Sequence, residues 1–273
     1  MAKKTVHGVC KLCLKQKPLC RSHYFGRAVH NLCKEDGEDA VMMTPKVVMA
    51  TQRQLWAHLL CRDCEGRLNK FGETPVLRLL DNGSAFPLLE RMRSGIALKD
   101  ERGTLTFSGK AMEVDTDAIA HFGLGILWKG GVHKWLTVER QTTSVALGPF
   151  EEAFRKYLLG IGGFPPDVYV LVGVCEDKGS RGMVFAPSLM NGSKNRTFSL
   201  LVRGIWFHII TDKSASGGTK ELCCVQSKLK VLHLEDCNKR FLHAGRHIHK
   251  TARVSPNLKR NVRLSPYSPR PIE

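Results

Sequence analysis

The stretch Cys10-Lys-Leu-Cys13, followed by Cys20-Arg-Ser-His23, His30-Asn-Leu-Cys33 and Leu59-Leu-Cys61-Arg-Asp-Cys64-Glu65, decides how the start of this chain is built. Two residues between two thiolates let both sulfurs turn onto one tetrahedral ion from a tight knuckle, the usual grip on structural zinc. One such pair says little. Two Cys-Cys pairs bracketing a basic segment point to Cys10, Cys13, Cys61 and Cys64 as ligands of a structural Zn2+. The competing reading is a disulfide framework, which needs a secreted chain. Met1 to Gln16 carries lysines and cysteines where a leader's apolar stretch would stand. A reducing, cytoplasmic setting is therefore expected.

The same pairs also admit two zinc sites. In a cross-brace, Cys10, Cys13, His30 and Cys33 share one ion while Cys20, His23, Cys61 and Cys64 hold the other; sequential pairing is a further option. His23 is then a ligand, and the segment is a protein-interaction device. Cys20 and Cys33 are equally suited to burial as small apolar groups.

Working outward, 273 residues with 42% apolar content suffice for one large domain or two modest ones. No apolar run reaches the roughly 18 residues of a membrane helix: Val168–Cys175 is too short, and Arg203 and Gly204 interrupt Leu200–Thr211. A formal charge of +17 and a pI near 9.6 set up a field that attracts polyanions, nucleic acid first and an anionic membrane second. Nine Lys/Arg against the single acid Glu273 give the last 36 residues a net +8. With Pro256, Pro266, Pro269 and Pro271, this tail is expected to be extended, partly disordered and able to release counterions from phosphates.

Three regions are expected: a zinc-binding module over 1–74, an α+β body with an antiparallel sheet over 75–237, and the basic tail over 238–273. The module has few aliphatic residues, and a small segment of that kind needs a staple. Pro75 marks the boundary. Val76–Asp81 and Phe86–Met92 read as short helices around an Asn82-Gly83 turn, and Leu105–Phe107 reads as a strand. Asp115 and Thr116 cap a helix through Trp128, with Ile119, Phe122 and Ile126 at core spacing; a second helix spans Phe150–Leu159. Val168–Val174, Met183–Ala186, Thr197–Arg203 and Ile205–Thr211 are β-rich. Cys175, Cys223 and Cys224 are expected in the core. His243, His247, His249 and Cys237 form a minor metal-site candidate, read first as a basic, solvated stretch.

Taken together, Cys10-x2-Cys13, Ser22-His23, Leu59-Leu60-Cys61-x2-Cys64-Glu65 and Gly72-Glu73 resemble the zinc-bearing HNH endonucleases. They look most like a poorly characterised bacterial and phage subgroup with Ser-His and Leu-Leu-Cys-x2-Cys-Glu motifs. The resemblance covers about the first 75 residues. It implies a treble-clef module in which His23 is the general base, with a divalent cation, Mg2+ or Mn2+, held beside it. Ser22 stands where members carry Asp or His, and Glu65 stands where many carry His, which makes Glu65 and Glu73 the candidate ligands. The resemblance also implies nucleic acid as the partner, DNA ahead of RNA, and a mobile-element or phage-defence setting. Candidate phosphate contacts are Arg21, Arg27, Arg62, Arg67 and Lys70 in the module and Lys259, Arg260 and Arg263 in the tail. The alternative is a non-catalytic zinc-dependent protein that binds nucleic acid or a protein partner through a degenerate HNH site.

Overall fold

The computed structural model of the chain describes residues 5–34, 39–45, 47–50, 54–81, 85–99, 104–137, 142–190, 196–212, 217–236 and 253–254. Strands β1 (Val6–Val9) and β2 (Gln16–His23) make an antiparallel hairpin whose turn is the first cysteine pair. Helix α1 (Arg27–Leu32) and strands β3 (Val41–Met43) and β4 (Val47–Ala50) follow. Strand β5 (Trp56–Cys61) then returns to pair with β2, completing a three-stranded sheet, and helix α2 (Arg62–Leu68) starts at the next residue. This short sheet is half-exposed. Leu59 and Leu60 are buried, whereas Trp56 and His58 face out.

From α2 the chain passes without a break through a π-helical turn, Asn69–Glu73, into helix α3 (Thr74–Leu80). Pro75, expected to mark a boundary, lies in the first turn of α3. There its missing N–H breaks no α-helical bond of its own turn, but the carbonyl of Phe71 has no donor four residues on. The wider loop, in which Thr74 N–H reaches Asn69 C=O, falls where that bond fails.

The remaining elements are α4 (Pro87–Ser94), β6 (Ala97–Lys99), β7 (Leu105–Ser108), α5 (Thr116–Val132), the short ribbon β8 (Trp135–Leu136) and β9 (Thr142–Thr143), and α6 (Phe150–Leu159). They continue with β10 (Val168–Cys175), β11 (Met183–Leu189), β12 (Arg196–Val202), β13 (Ile205–Thr211), α7 (Gly217–Glu221), β14 (Val231–Glu235) and β15 (Arg253–Val254). Ten strands form one sheet in the order β15-β4-β3-β11-β12-β13-β10-β14-β7-β6. Its centre, β11-β12-β13-β10, is antiparallel as expected, while β3 on β11, β14 on β10 and β15 on β4 add parallel pairings. The fold is mixed α and β. β3 and β4, which precede the second cysteine pair, hydrogen-bond into this large sheet.

Strand β10 reads Val-Tyr-Val-Leu-Val-Gly-Val-Cys and is buried along nearly its whole length, as a strand covered on both faces must be. Helix α5 is apolar over most of its surface. Asp115 caps it by accepting from Ala118 N–H at 2.9 Å, and 14 of its 17 residues are buried. It packs against α3, α6, the π turn and strands β11 and β12. Gly123 makes that approach workable, because a Cβ there would run into the Phe207 ring of β13. Cys223 and Cys224 are fully buried, as expected, and so is Cys175. One hydrophobic cluster runs from Cys10 and Leu12 to Leu232, and a small second one gathers Cys175, Leu201 and Trp206. Among the described residues no helix is long and apolar enough to cross a membrane.

Candidate metal centre and the cleft beside it

The first cysteine pair is a tight turn. Cys10 N–H donates to Lys15 C=O at 3.0 Å, Leu14 N–H donates to Cys10 C=O at 2.8 Å, and Leu14 takes the left-handed conformation at φ 60°. Lys11 N–H donates to Leu59 C=O at 3.1 Å, which holds the knuckle against β5. Cys61 ends β5 and Cys64 lies three residues on, one helical turn away and on the same face of α2. From α6, Arg155 Nη1 donates to Leu12 C=O at 2.7 Å and also grips Glu152. The knuckle is thus clamped from both the sheet and the body.

These contacts bring the sulfurs of Cys10, Cys13, Cys61 and Cys64 within 4.8 Å of one another. A tetrahedral zinc with bonds of about 2.3 Å needs sulfur–sulfur edges of about 3.8 Å, and Cys13 Sγ to Cys61 Sγ is 3.9 Å. Cys61 N–H also points at Cys10 Sγ, 3.3 Å away, supplying the kind of hydrogen bond that supports a thiolate ligand. The four cysteines can hold one structural zinc ion. Burial, with neighbouring thiols, pushes the Cys64 thiol well up, a cost that a bound cation reverses. Among the described residues this is the one cluster of metal-binding type. His30 and Cys33 sit on and just after α1 and do not join Cys10 and Cys13, as a cross-brace requires.

His23 lies at the end of β2, opposite Trp56 in register, and is half-buried. Burial, and then the nearby Lys129 ammonium, lower its pKa and favour the neutral imidazole. Glu65, one residue past Cys64, lies within electrostatic reach of His23 and of Glu73. Its Oε1 is buried and has no hydrogen-bond partner. Glu73 closes the π turn and packs directly on Gly26, where a Cβ would displace the Glu73 carboxylate. Burial raises the Glu73 pKa, Lys129 opposes that shift, and Glu65 adds to it. Three sequence-predicted residues, His23, Glu65 and Glu73, therefore share one electrostatic neighbourhood. Ser22 stands apart: it is fully buried and its Oγ accepts from Leu60 N–H at 3.0 Å, a bond internal to the sheet.

Lys129 of α5 was not anticipated. It is 6% exposed, and its Nζ donates to the His23 carbonyl at 2.9 Å. With Glu73, Gly26 and His121 it lines a small cleft between the π turn and α5. The signal was present as a single charge near the end of a long apolar run, where a lysine is rarely buried without a partner.

Of the proposed phosphate contacts, Arg21, Arg27, Arg62 and Lys70 are exposed. Arg67 is half-buried: its Nε donates to Leu158 C=O at 2.9 Å and its guanidinium lies 4.7 Å from the Phe71 ring centre, which is structural work. Lys259, Arg260 and Arg263 lie outside the described residues, as do Asn82-Gly83, Cys237, His243, His247 and His249. No protein family, curated protein or solved structure matches this chain.

Proposed function

We propose that this chain is a zinc-stabilised nucleic-acid-binding protein whose HNH-like, treble-clef module hydrolyses phosphodiesters with His23 as the base. The observation that carries the reading is Glu65, one residue past Cys64 of the four-cysteine site and within electrostatic reach of both His23 and Glu73. A neutral imidazole within electrostatic reach of the Glu65 carboxylate suits proton removal from water. The buried, unpartnered Glu65 Oε1, with Glu73 within electrostatic reach, fits a hard divalent cation. Glu65 and Glu73 would hold Mg2+ or Mn2+, which would polarise the phosphate and stabilise the leaving oxygen. Lys129 fixes the His23 backbone through its carbonyl and helps keep the ring unprotonated. The charge of +17, with Arg21, Arg27 and Arg62 exposed nearby, supplies attraction for the phosphate backbone. A protein of mobile elements or phage defence is the setting this activity suits.

The buried Lys129 also favours a second reading, a non-catalytic binding module, because a resident ammonium partly does the work of a metal. Cleavage of labelled DNA and RNA with millimolar magnesium or manganese separates the two. His23→Ala is expected to lower the rate at least about a hundredfold while leaving one zinc per chain. The acid limb of the wild-type pH profile should lie below the ordinary imidazole value, since burial favours the neutral base. Binding without cleavage would leave the non-catalytic reading, and zinc loss in His23→Ala would make His23 a structural ligand.

A further inference from the structure

The three-stranded sheet turns an aromatic residue outward where a structural role alone does not ask for one. Trp56 opens β5 and is 44% exposed. Arg21 of β2 places its guanidinium 4.4 Å from the centre of the indole, and His58 meets the ring edge-on at 5.5 Å. Register sets Arg21 opposite His58 and His23 opposite Trp56, so the indole begins at the residue that faces the candidate base across the ladder. Trp56 also lines an open cleft with Gln54, Leu55, His133, Lys134, Trp135 and Leu136, in which Lys134 is the charged residue and there is no carboxylate. The other exposed ring of the module, Phe71, differs. It packs 6.2 Å from His121 and carries the anchored Arg67, so it seals the contact between the π turn and α5.

An exposed indole under an arginine, beside a cleft that carries Lys134 and no carboxylate, suits a planar, electron-rich ring attached to an anionic backbone. Besides Trp56, Leu136 is the cleft's exposed apolar side chain; with Arg21 and Lys134 as its charged neighbours and no carboxylate in the lining, the surface suits a polyanion. Duplex DNA keeps its bases stacked and hides their faces, so the ligand that fits is unpaired. We infer that Trp56, Arg21 and His58 form a stacking platform for an unpaired base of single-stranded nucleic acid, with Lys134 beside the backbone. The platform rests on the nucleic-acid reading above and makes it specific: the strand lies across β2 and β5 and reaches His23 from the Trp56 side.

The test uses the full chain and fluorescence anisotropy with three probes: a single-stranded DNA of about 12 nucleotides, an abasic oligonucleotide of equal length, and a duplex. Wild-type protein is expected to bind the base-bearing strand more tightly than either other probe and to show quenched tryptophan emission on binding. Trp56→Ala should weaken binding to the base-bearing strand about tenfold, leave the abasic strand unchanged and keep the zinc content. Trp56→Phe should retain most of the affinity, because any flat ring can stack. Equal losses on both strands, no loss on either, or preference for the duplex would overturn the platform. Absence of binding to every probe would remove the nucleic-acid reading itself, whereas binding that ignores Trp56 removes only the platform.

Discussion

The cysteine module and the large sheet hold themselves together by different means. Around the four-cysteine site, the short strands β1, β2 and β5 expose about half their side chains, and four sulfurs stand where one zinc ion can tie them together. In the body, β10, β12, β13 and α5 are buried through most of their length and contain few polar groups to satisfy. The difference teaches where each region is vulnerable. A segment with little apolar surface depends on metal coordination, while a sheet covered on both faces depends on shape. The two share one hydrophobic cluster, and Arg155, Arg67 and Lys129 each bond from one region to a main-chain carbonyl of the other.

The largest effect that would break this comparison is at the metal. Cys61→Ser is expected to reduce zinc from one ion per chain to none and to unfold β5 and α2, whereas Cys20→Ser should keep the full complement. Elemental analysis with far-ultraviolet circular dichroism checks both. Two zinc ions per wild-type chain, or zinc retained in Cys61→Ser, would sink the single-site assignment.

Phe207→Ala probes the body. The ring is fully buried on β13, meets Phe122 at 6.2 Å and fills the space left by Gly123. Its removal should cost about 3–5 kcal/mol, read from the shift of the urea midpoint. The continuous core predicts that circular dichroism and zinc release then follow one transition; separate transitions would show the two regions to be independent.

A smaller, pH-dependent effect lies at the seam. His121 of α5 packs under Gly72 of the π turn and against Tyr157, and burial, the largest cause, lowers its pKa to about 4. Because the unfolded chain takes up this proton near the ordinary histidine value and the folded chain does not, stability should fall as pH drops from about 6.5 to about 4. The loss is on the order of 3 kcal/mol. It should be smaller by that amount in His121→Gln, which separates it from acid release of zinc. Equal slopes for the two proteins would show that His121 carries none of it.

Much of this was legible along the chain. The Cys-x2-Cys pairs, the capped helix after Asp115, the helix Phe150–Leu159 and the four strands from Val168 onward each carry a local signal of spacing, capping or alternation, and each stands where expected. Strands β3, β4 and β14 were not read, because three to five residues hold too little periodicity to register, and β3 and β14 also pair with strands remote in sequence, β11 and β10. The π turn was missed for a related reason: a missing hydrogen bond at Pro75 sets it, and apolar spacing does not report that.

The sequence by itself determined the ligand chemistry, since Cys-x2-Cys closes a knuckle through contacts a few residues apart. It also determined the polyanion-attracting charge, which is a property of composition. Tertiary structure decided which cysteine pairs meet and that Ser22 is spent on the sheet. It also set Lys129 beside His23 across 106 positions and left Trp56 facing outward beside Arg21. Such neighbours are chosen by how β5 returns to β2 and where α5 packs, and no short-range pattern encodes a contact whose two halves are brought together only when the core closes.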